Sequence, residues 1–165
     1  MSEIRFEMMS DDYLAQAADI YNYYVKNTTV TFHMELQSPE DMKEILYQDD
    51  PLYISYAILD GETLCGYAYM APYKKREAYR ISSEVTIYLR PESCKKGIGG
   101  KALKLLDQYA KESGIHSFLA IICAENVSSI QLFSKNGYEK CAYFKEVGMK
   151  FGRMLDIIAM QKILN

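Results

Sequence analysis

The chain has 165 residues, of which 49% are hydrophobic and 25% charged, and its formal net charge at pH 7 is −3. This length and composition predict a soluble globular protein in which residues 1–165 form a single domain. The slight negative charge argues against nucleic acid or an anionic membrane as a partner, and no apolar run approaches the ~20 residues that span a bilayer. Because the first twelve residues lack the basic, apolar and small-residue order of a signal peptide, we expect a cytoplasmic location.

Residue periodicity in the first quarter of the chain predicts one strand and two helices. Alternating apolar residues over 4–8 are typical of a half-buried strand, and apolar residues at helical spacing over 14–27 predict a helix whose start is capped by Ser10. Ser38 followed by Pro39 predicts the capped start of a second helix, which ends at about position 48.

The rest of the chain is dominated by strand patterns. Two strand-like runs flank Asp60–Gly61, a dipeptide typical of β-hairpin turns. The later predicted elements are a strand at 84–89, a helix after a glycine-rich segment, a strand at 116–123, a short helix at 126–136 closed by Gly137, and strands at 138–144 and 153–164. Strand, helix and strand over 84–123 form a parallel β-α-β unit, whereas the other strands follow one another as hairpins. The prediction is therefore an α+β fold with one mixed, mostly antiparallel sheet flanked by helices.

Cysteine and histidine spacing predicts neither a metal site nor disulfides. The two histidines, His33 and His116, are far apart and have no companion ligands nearby in sequence. The four cysteines show no C-x-x-C spacing, so we expect free thiols. They are Cys65, Cys94, Cys123 and Cys141.

The segment SCKKGIGGKALKLLDQYAKESG, at 93–114, combines a glycine-rich turn with an amphipathic helix. The predicted buried face of the helix consists of Leu103, Leu106, Tyr109 and Ala110, and the predicted solvent face of Lys101, Lys104, Asp107 and Lys111. Gly97, Gly99 and Gly100 fall in the turn and the first helical turn, where backbone N–H groups have no intrahelical acceptor. These donors and the positive end of the helix dipole are suited to a phosphate group.

Three alternative interpretations of this glycine-rich segment have to be considered. A Walker loop is excluded, because Lys95 occupies the position of its first glycine and Ala102 that of its Ser or Thr. The dinucleotide fingerprint is matched by Gly97, Gly99 and Ala102, with Glu125 downstream, but seven residues separate its first glycine from the strand. A glycine-rich helix start without a ligand is the remaining alternative.

The loop also resembles the acetyl-CoA signature Q/R-x-x-G-x-G/A of the GNAT superfamily of N-acetyltransferases. CKKGIG, at 94–99, matches it everywhere except at Cys94, where Gln or Arg is usual. EVTIYLRPESCKKGIGGKAL looks like the central segment of the phosphinothricin and methionine-sulfone acetyltransferase branch. Upstream YKKREAYRISSE resembles the substrate loop of that branch, and VGMKFGRMLDIIAMQ its C-terminal strand region. The similarity in length and order extends from Ile4 to Leu164.

The resemblance implies an acetyl-CoA-dependent N-acetyltransferase that binds the coenzyme and a small amino-acid-like amine together and transfers the acetyl group directly. The backbones of Ile87, Tyr88 and Leu89 are then expected beside the pantetheine arm. The pyrophosphate is expected against Lys95, Lys96, Gly97, Ile98, Gly99 and Gly100. Asn126 corresponds to a coenzyme-contacting asparagine of the branch, and a helix N-cap without a ligand is the alternative.

The resemblance also assigns the catalytic groups. Glu84 matches the family's proposed general base, which is useful because most amines are protonated at neutral pH. The alternative for Glu84 is a structural ion pair with Arg76 or Arg80. A backbone N–H of Ile87 or a neighbour is the candidate donor to the oxyanion intermediate. Phe133 replaces the tyrosine that many members use to protonate the thiolate, but a thiol of pKa ~8.5 leaves without an acid.

On the acceptor side, the branch uses an aromatic and basic wall. The matching residues are Phe32, Arg76, Tyr79, Lys150 and Phe151. An arginine binds a carboxylate bidentately, so a small amino acid or analogue is the expected acceptor, although Met149 and Met154 depart from close relatives and leave its identity open. The alternatives are core packing for the aromatic residues and solvated positions for the cations.

Two other functions are compatible with the same acetyl-CoA site. One is a protein or peptide N-terminal acetyltransferase with an open acceptor groove, and the other is a non-catalytic acyl-CoA-binding sensor. The resemblance also implies a homodimer, and the histidine and cysteine spacing described above leads us to expect no metal.

Overall fold

The computed structural model describes residues 3–165, so the first two residues of the expected domain lie outside the described range. Within that range the seven strands are β1 (Ile4–Met8), β2 (Ser55–Asp60), β3 (Thr63–Pro72), β4 (Ser82–Leu89), β5 (Ser117–Cys123), β6 (Glu139–Lys150) and β7 (Arg153–Ile163). The four α-helices are α1 (Leu14–Asn27), α2 (Pro39–Leu46), α3 (Ile98–Ser113) and α4 (Val127–Lys135). Each element that the sequence predicts is confirmed, with shifts at some ends.

The strands form one sheet in the order β1-β2-β3-β4-β5-β7-β6. Among these described strands, β4 and β5 are the one parallel pair, and α3 is the crossover between them. All other neighbouring strands are antiparallel. The predicted α+β fold with a mixed, mostly antiparallel sheet and one β-α-β unit is confirmed.

Local chemistry explains where the first helices begin. The Ser38 hydroxyl accepts a hydrogen bond from the Asp41 N–H at 3.1 Å, and the Asp41 carboxylate accepts one from the Ser38 N–H at 2.8 Å. This capping box satisfies two donors at the start of α2. Ser10 makes no such side-chain bond, and a 3₁₀ turn at Asp11–Tyr13 precedes α1 instead.

Helices cover both faces of the sheet. One buried cluster lies beneath α3 and α4 and includes Leu103 and Phe118. The other lies beneath α1 and α2 and includes Ile20, Met42 and Tyr67. The central strands are therefore covered on both faces, and successive side chains of β4 point alternately toward the two helix layers.

The expected solvent face of α3 is wrong at one position. Lys101, Lys104 and Lys111 are exposed as predicted, but Asp107 is buried. Its carboxylate accepts a hydrogen bond from Lys162 of β7, which lies 55 positions away. Helical spacing carries no information about this ion pair, because the partner comes from another element.

The β6–β7 hairpin is longer than its sequence pattern indicates. Strand β6 continues to Lys150, and the turn at Phe151–Gly152 has φ values of 53° and 72°. Positive φ at both positions is the requirement of a type I′ turn. The strand register shifts between Phe144 and Gly148, where Glu146 also has positive φ, so the alternation expected of a strand is interrupted.

Within residues 3–165, no helix combines the length and the hydrophobicity that a membrane crossing requires.

Candidate active site

The middle of the sheet opens into a wedge between β4 and β5. These strands pair at three positions, the last of which joins Glu84 to Leu119. Beyond this pair, β4 remains paired with β3 and β5 with β7, but 85–89 and 120–123 no longer pair with each other. The facing backbone edges are therefore free to hydrogen-bond an extended ligand between them.

A cleft of about 710 Å³ extends along this wedge. It is lined by residues 87–89 of β4, by Lys95, Gly97, Gly99 and Gly100 of the glycine-rich loop, and by Asn126. These are eight of the ten residues that the sequence assigns to the coenzyme. The other two are not among the lining residues: Lys96 is exposed, and Ile98 is buried in the core.

The glycine-rich loop presents free backbone donors at one end of the cleft. Gly97 is the N-cap of α3 with φ of 80°, a left-handed conformation that favours glycine. The first N–H with an intrahelical acceptor is that of Lys101, which donates to the Gly97 carbonyl at 3.3 Å. The N–H groups of the three residues between them begin the helix without intrahelical acceptors, as a phosphate site requires.

Helix α4 borders the other side of the cleft. The Asn126 side chain accepts a hydrogen bond from the Ser129 N–H at 3.2 Å, so its N-cap role is confirmed. The same residue lines the cleft, and this position is compatible with a coenzyme contact as well. An alanine at Gly99 would place its Cβ 2.9 Å from Leu132, so the glycine is needed for the close approach of α3 and α4.

Glu84 lies at the last paired position before the wedge opens. It is opposite Ala71 of β3 and Leu119 of β5. Because side chains alternate along a strand, Glu84 and Tyr88 project to the face covered by α1, where Tyr88 packs against Tyr21. The carboxylate is half-buried, and this burial raises the pKa of Glu84.

The carboxylate of Glu84 has no hydrogen bond or ion pair with another described residue. The alternative partner Arg80 instead binds Asp50, with an N–O distance of 3.0 Å. Arg76, the other alternative partner, is exposed and pairs with no described carboxylate. A half-buried carboxylate with a raised pKa and no structural partner is suited to act as a general base.

Three of the predicted acceptor residues come together beside α1. Phe32 lies between α1 and α2, and its ring packs so closely on Gly148 that a Cβ there would be 2.6 Å from the ring. Lys150 is only 3% exposed, which excludes a solvated position, and its Nζ donates to the Thr31 carbonyl at 2.8 Å. The same Nζ lies 5.2 Å from the ring centroid of Phe151. Burial lowers the pKa of Lys150.

The other two predicted acceptor residues lie on a separate segment. Arg76 and Tyr79 belong to the connection between β3 and β4, which leaves and re-enters the sheet next to the Ala71–Glu84 pair. Tyr79 packs edge to face against Tyr73 at a centroid distance of 5.6 Å. Among the described residues, no hydrogen bond, ion pair or ring contact joins this segment to Phe32.

The sequence did not reveal a hydrogen-bonded cluster of Tyr21, Thr31 and His33 next to Phe32. The buried Tyr21 hydroxyl lies 2.5 Å from the Thr31 hydroxyl and also hydrogen-bonds Nδ1 of His33. Burial raises the pKa of Tyr21. In the sequence, Tyr21 is one of several apolar-face residues of α1, and no local signal distinguishes it.

A second contact that the sequence did not reveal joins the connection between α1 and α2 to Glu125, which follows β5 at the edge of the wedge. Glu125 accepts hydrogen bonds from two guanidinium nitrogens of Arg153, at 2.9 and 3.1 Å, and another from Thr29. The Arg153 guanidinium is the main cause of a Glu125 pKa lowered to about 2. Glu125 therefore binds protein groups, and not the ribose that a dinucleotide fingerprint would assign to it.

The cysteines and the potential metal ligands form no cluster among the described residues. All four cysteines are free thiols, as expected. Within the described part of the chain, no group of three or more potential ligating side chains is placed to hold a metal ion.

Comparison with known proteins agrees with this geometry. A family model for the acetyltransferase (GNAT) domain matches residues 8–159. The chain is 32% identical over 161 residues to a phosphinothricin N-acetyltransferase of Streptomyces coelicolor, covering 94% of each chain. It is 31% identical over 161 residues to an L-methionine sulfoximine/L-methionine sulfone acetyltransferase of Salmonella typhimurium, covering 96% of this chain and 92% of the relative.

A solved structure has the same fold. It is a phosphinothricin acetyltransferase of the GNAT superfamily from Sinorhizobium meliloti, in complex with acetyl-CoA. The TM-score is 0.93 at 30% sequence identity, and the superposition covers 100% of this chain and 90% of that one.

Proposed function

The chain belongs to the GNAT acetyltransferase family, and on this premise we propose that it transfers acetyl from acetyl-CoA to a small amino-acid-like amine. The observation that carries the proposal is the cleft that joins the glycine-rich loop to the wedge beside Glu84. The acceptor class is supported by relatives at about 30% identity that are named for phosphinothricin and methionine sulfone. The whole chain acts as one acetyltransferase domain.

The coenzyme binds in the cleft with its pyrophosphate at the start of α3. The N–H groups of Ile98, Gly99 and Gly100 donate to the phosphate oxygens, and the helix dipole adds attraction there. Lys95 and Lys96 contribute positive charge, which offsets the missing Gln or Arg at Cys94. The pantetheine arm lies along the free edge of β4 and takes main-chain hydrogen bonds from it.

Transfer is direct and needs one base. Glu84 removes a proton from the acceptor ammonium, directly or through water, and the nitrogen attacks the thioester carbonyl carbon. A backbone N–H of Ile87 or a neighbour donates to the oxyanion intermediate. The C–S bond then breaks and sulfur leaves as a thiolate, since Phe133 has no proton to give.

The acceptor occupies the face of the sheet on which Glu84 projects. Phe32 and Phe151 form its apolar wall, and Lys150 lies between them under the connection from α1 to α2. Arg76 is exposed and its guanidinium is available to bind the carboxylate of an amino acid, beside Tyr79.

The protein is proposed to act as a homodimer in the cytoplasm. Free thiols at all four cysteines fit a reducing compartment. The β6–β7 hairpin exposes large apolar side chains that a second copy would cover. They are Tyr143, Phe144, Val147, Met149, Phe151 and Met154.

Thiol release from acetyl-CoA tests the function, with methionine sulfone and phosphinothricin compared against short peptides as acceptors. The proposal requires thiol release with at least one small amino acid. Release with peptides alone would instead indicate an N-terminal acetyltransferase. Binding of acetyl-CoA without release to any acceptor would indicate an acyl-CoA sensor.

A further inference from the structure

The connection between β3 and β4, residues 73–81, lies largely at the surface of the protein. Residues 74–78 are all exposed, and Tyr73 and Tyr79 are only partly buried. Burial of apolar side chains therefore contributes little to holding this segment in place, and segments of this kind open locally at low cost in free energy.

Most contacts of the segment are internal. The Tyr79 N–H donates to the Arg76 carbonyl at 3.0 Å, and the Tyr79 ring packs on Tyr73. The Nζ of Lys74 lies 5.3 Å from the centroid of the Tyr73 ring. These contacts shape the segment, but they do not join its side chains to the rest of the protein.

Arg80 makes the side-chain connection to another part of the fold. Its Nε donates to Oδ2 of Asp50 at 3.0 Å and its Nη2 to Oδ1 of the same carboxylate at 3.4 Å. Among the described residues, Arg80 is the only side chain of 73–81 with a hydrogen bond or ion pair to a residue outside the segment. A guanidinium that meets both oxygens of a carboxylate is held in orientation as well as in distance.

Asp50 is itself fixed by the turn between α2 and β2. Its Oδ1 accepts a hydrogen bond from the Leu52 N–H at 2.9 Å, the pattern of an Asx turn. The Leu52 carbonyl accepts another from the Tyr109 hydroxyl of α3, also at 2.9 Å, and Tyr53 is buried in the main core. The carboxylate that holds Arg80 is therefore anchored to the interior.

Building on the proposed function, we propose that the Asp50–Arg80 pair positions the acceptor segment, so that binding of the amino acid depends on a carboxylate outside the site. Tyr79 directly precedes Arg80, and the Arg76 carbonyl is bonded to Tyr79, so a shift of Arg80 displaces both proposed acceptor residues. Neither Asp50 nor Arg80 lines the coenzyme cleft, so the pair acts on the amine and not on acetyl-CoA.

Asp50→Asn separates the ion pair from the turn. Asparagine keeps a side-chain oxygen for the Leu52 N–H but turns an amide donor toward Arg80 in place of a carboxylate oxygen. We expect KM for the amino acid to rise by about two- to fivefold, the range that an exposed ion pair contributes. KM for acetyl-CoA should be unchanged.

A double-mutant cycle distinguishes positioning from direct binding. Arg80→Gln should raise KM for the amino acid by a similar factor, and the double variant by no more than either single variant, because each change removes the same interaction. If Arg80 bound the amino acid directly, Arg80→Gln would raise KM and Asp50→Asn would not, and this result would overturn the inference.

Hydrogen exchange measures the attachment of the segment without any reaction. In protein free of substrates, the amides of 73–81 should exchange faster in Asp50→Asn and Arg80→Gln than in the wild type. Lys43→Gln is the matched control, because it breaks an exposed ion pair of the same 3.0 Å length, to Asp11, that lies on α2. This control should leave both exchange in 73–81 and KM for the amino acid unchanged.

The possible failures are distinct. Wild-type exchange in 73–81, or an unchanged KM for the amino acid, in folded Asp50→Asn and Arg80→Gln protein contradicts the positioning role, whereas acetyl transfer by the wild type still supports the proposed function. Wild-type protein that releases no thiol with any small amino acid refutes the proposed function, and with it the acceptor role of the segment.

Discussion

Lys150 is a buried cation whose contacts within the described residues are a backbone carbonyl and an aromatic ring. Its Nζ donates to the Thr31 carbonyl at 2.8 Å, and Thr31 precedes Phe32, which we propose as part of the acceptor wall. This hydrogen bond joins β6 to the connection between α1 and α2, and its two residues are 119 positions apart in the sequence. We therefore expect Lys150 to act on the acceptor by positioning Phe32.

Replacing Lys150 by Met tests this role. The change removes a charged hydrogen-bond donor, an interaction of about 1.5–3 kcal/mol, so KM for the amine should rise by roughly tenfold or more. KM for acetyl-CoA should be unchanged, because Lys150 does not line the cleft. Steady-state kinetics with each substrate varied gives both values.

The control and a further acceptor make the result specific. Lys140→Met removes an exposed cation from the same strand and should leave both KM values as they are. In Lys150→Met, KM should rise as much for an amine without a carboxylate as for the amino acid. A loss confined to the amino acid would show that Lys150 binds the carboxylate itself.

Glu84 combines partial burial with the absence of a described partner. Replacement by Gln should lower kcat by about 10²–10⁴-fold, the usual contribution of a general base, while acetyl-CoA binding persists. In the wild type, kcat/KM should increase with pH through the raised pKa of Glu84, because only the ionised carboxylate accepts a proton. Rates measured across pH should show this limb in the wild type and lack it in Glu84→Gln. An unchanged pH profile in the variant would remove Glu84 from the mechanism.

The same raised pKa predicts a stability difference between the two proteins. The folded state binds the Glu84 proton more tightly than the unfolded state, so this contribution to stability is full below the unfolded pKa and is lost as pH increases through the folded pKa. Glu84→Gln should therefore melt at a higher temperature than the wild type at pH 7. Thermal melts at pH 7 and below pH ~4 should show that the difference shrinks in acid.

At the scale of elements, α3 has a left-handed glycine at each end. Gly97 at the start and Gly114 at the end have φ of 80° and 86°, and a Cβ on either would meet nothing within 4 Å. Alanine at either site should cost about 1–2 kcal/mol in stability through backbone strain alone. The two sites differ in function, since only Gly97 lines the cleft.

This pair gives a matched test of the coenzyme site. Gly97→Ala and Gly114→Ala should lose similar amounts of stability in denaturant melts. Gly97→Ala alone should weaken CoA binding, by about tenfold if the strain shifts the phosphate-facing N–H groups, as measured by calorimetry. Equal CoA affinity in both variants would place the pyrophosphate elsewhere.

The connection between α1 and α2 is held from three sides. Asn22 binds Gln37 through two hydrogen bonds of 2.8 Å, which close its base. Lys150 holds its middle, and Glu125 holds Thr29 at its start. These contacts give the acceptor side a fixed wall although the segment has no regular secondary structure.

At the scale of the whole molecule, the two edges of the sheet differ in how many large apolar side chains they expose. The β6–β7 edge exposes a row of large apolar side chains, with Val147 and Met149 55% and 62% exposed. Met8 on β1, at the opposite edge, is a comparable exposed residue at 56%. A dimer formed through the hairpin, as we propose, would bury these side chains, and an exposed apolar patch is a feature expected of an interaction site.

Introducing negative charge on this apolar surface tests the assembly. Val147→Glu with Met149→Glu should convert a dimer to a monomer at micromolar concentration, because two unpaired carboxylates would be buried in each half of the interface. Sedimentation velocity measures the change, and Met8→Glu is the control that should remain dimeric. A wild-type protein that sediments as a monomer would refute the homodimer.

Local sequence patterns determined the elements and indicated the free backbone donors at the start of α3. Alternation, helical spacing and turn residues predicted the seven strands and four α-helices of residues 3–165, because the period of apolar residues reflects which side of an element is buried. They did not predict the three short 3₁₀ helices in that range. The glycine spacing predicted free donors at the start of α3, since Gly97 alone in that turn takes the left-handed conformation without a side-chain penalty. The resemblance to the GNAT superfamily is confirmed by the family match over 8–159, and the resemblance to the phosphinothricin and methionine-sulfone branch by relatives at about 30% identity.

Tertiary structure alone decided the wedge and the side chains that meet around it. The sequence does not show that β4 and β5 separate after Glu84, nor that Lys162 buries Asp107, nor that Lys150 reaches Thr31. Periodicity records only how each segment distributes its own apolar residues. Contacts between distant segments depend on how the sheet closes and twists, so their partners, distances and burial exist only once the chain is folded.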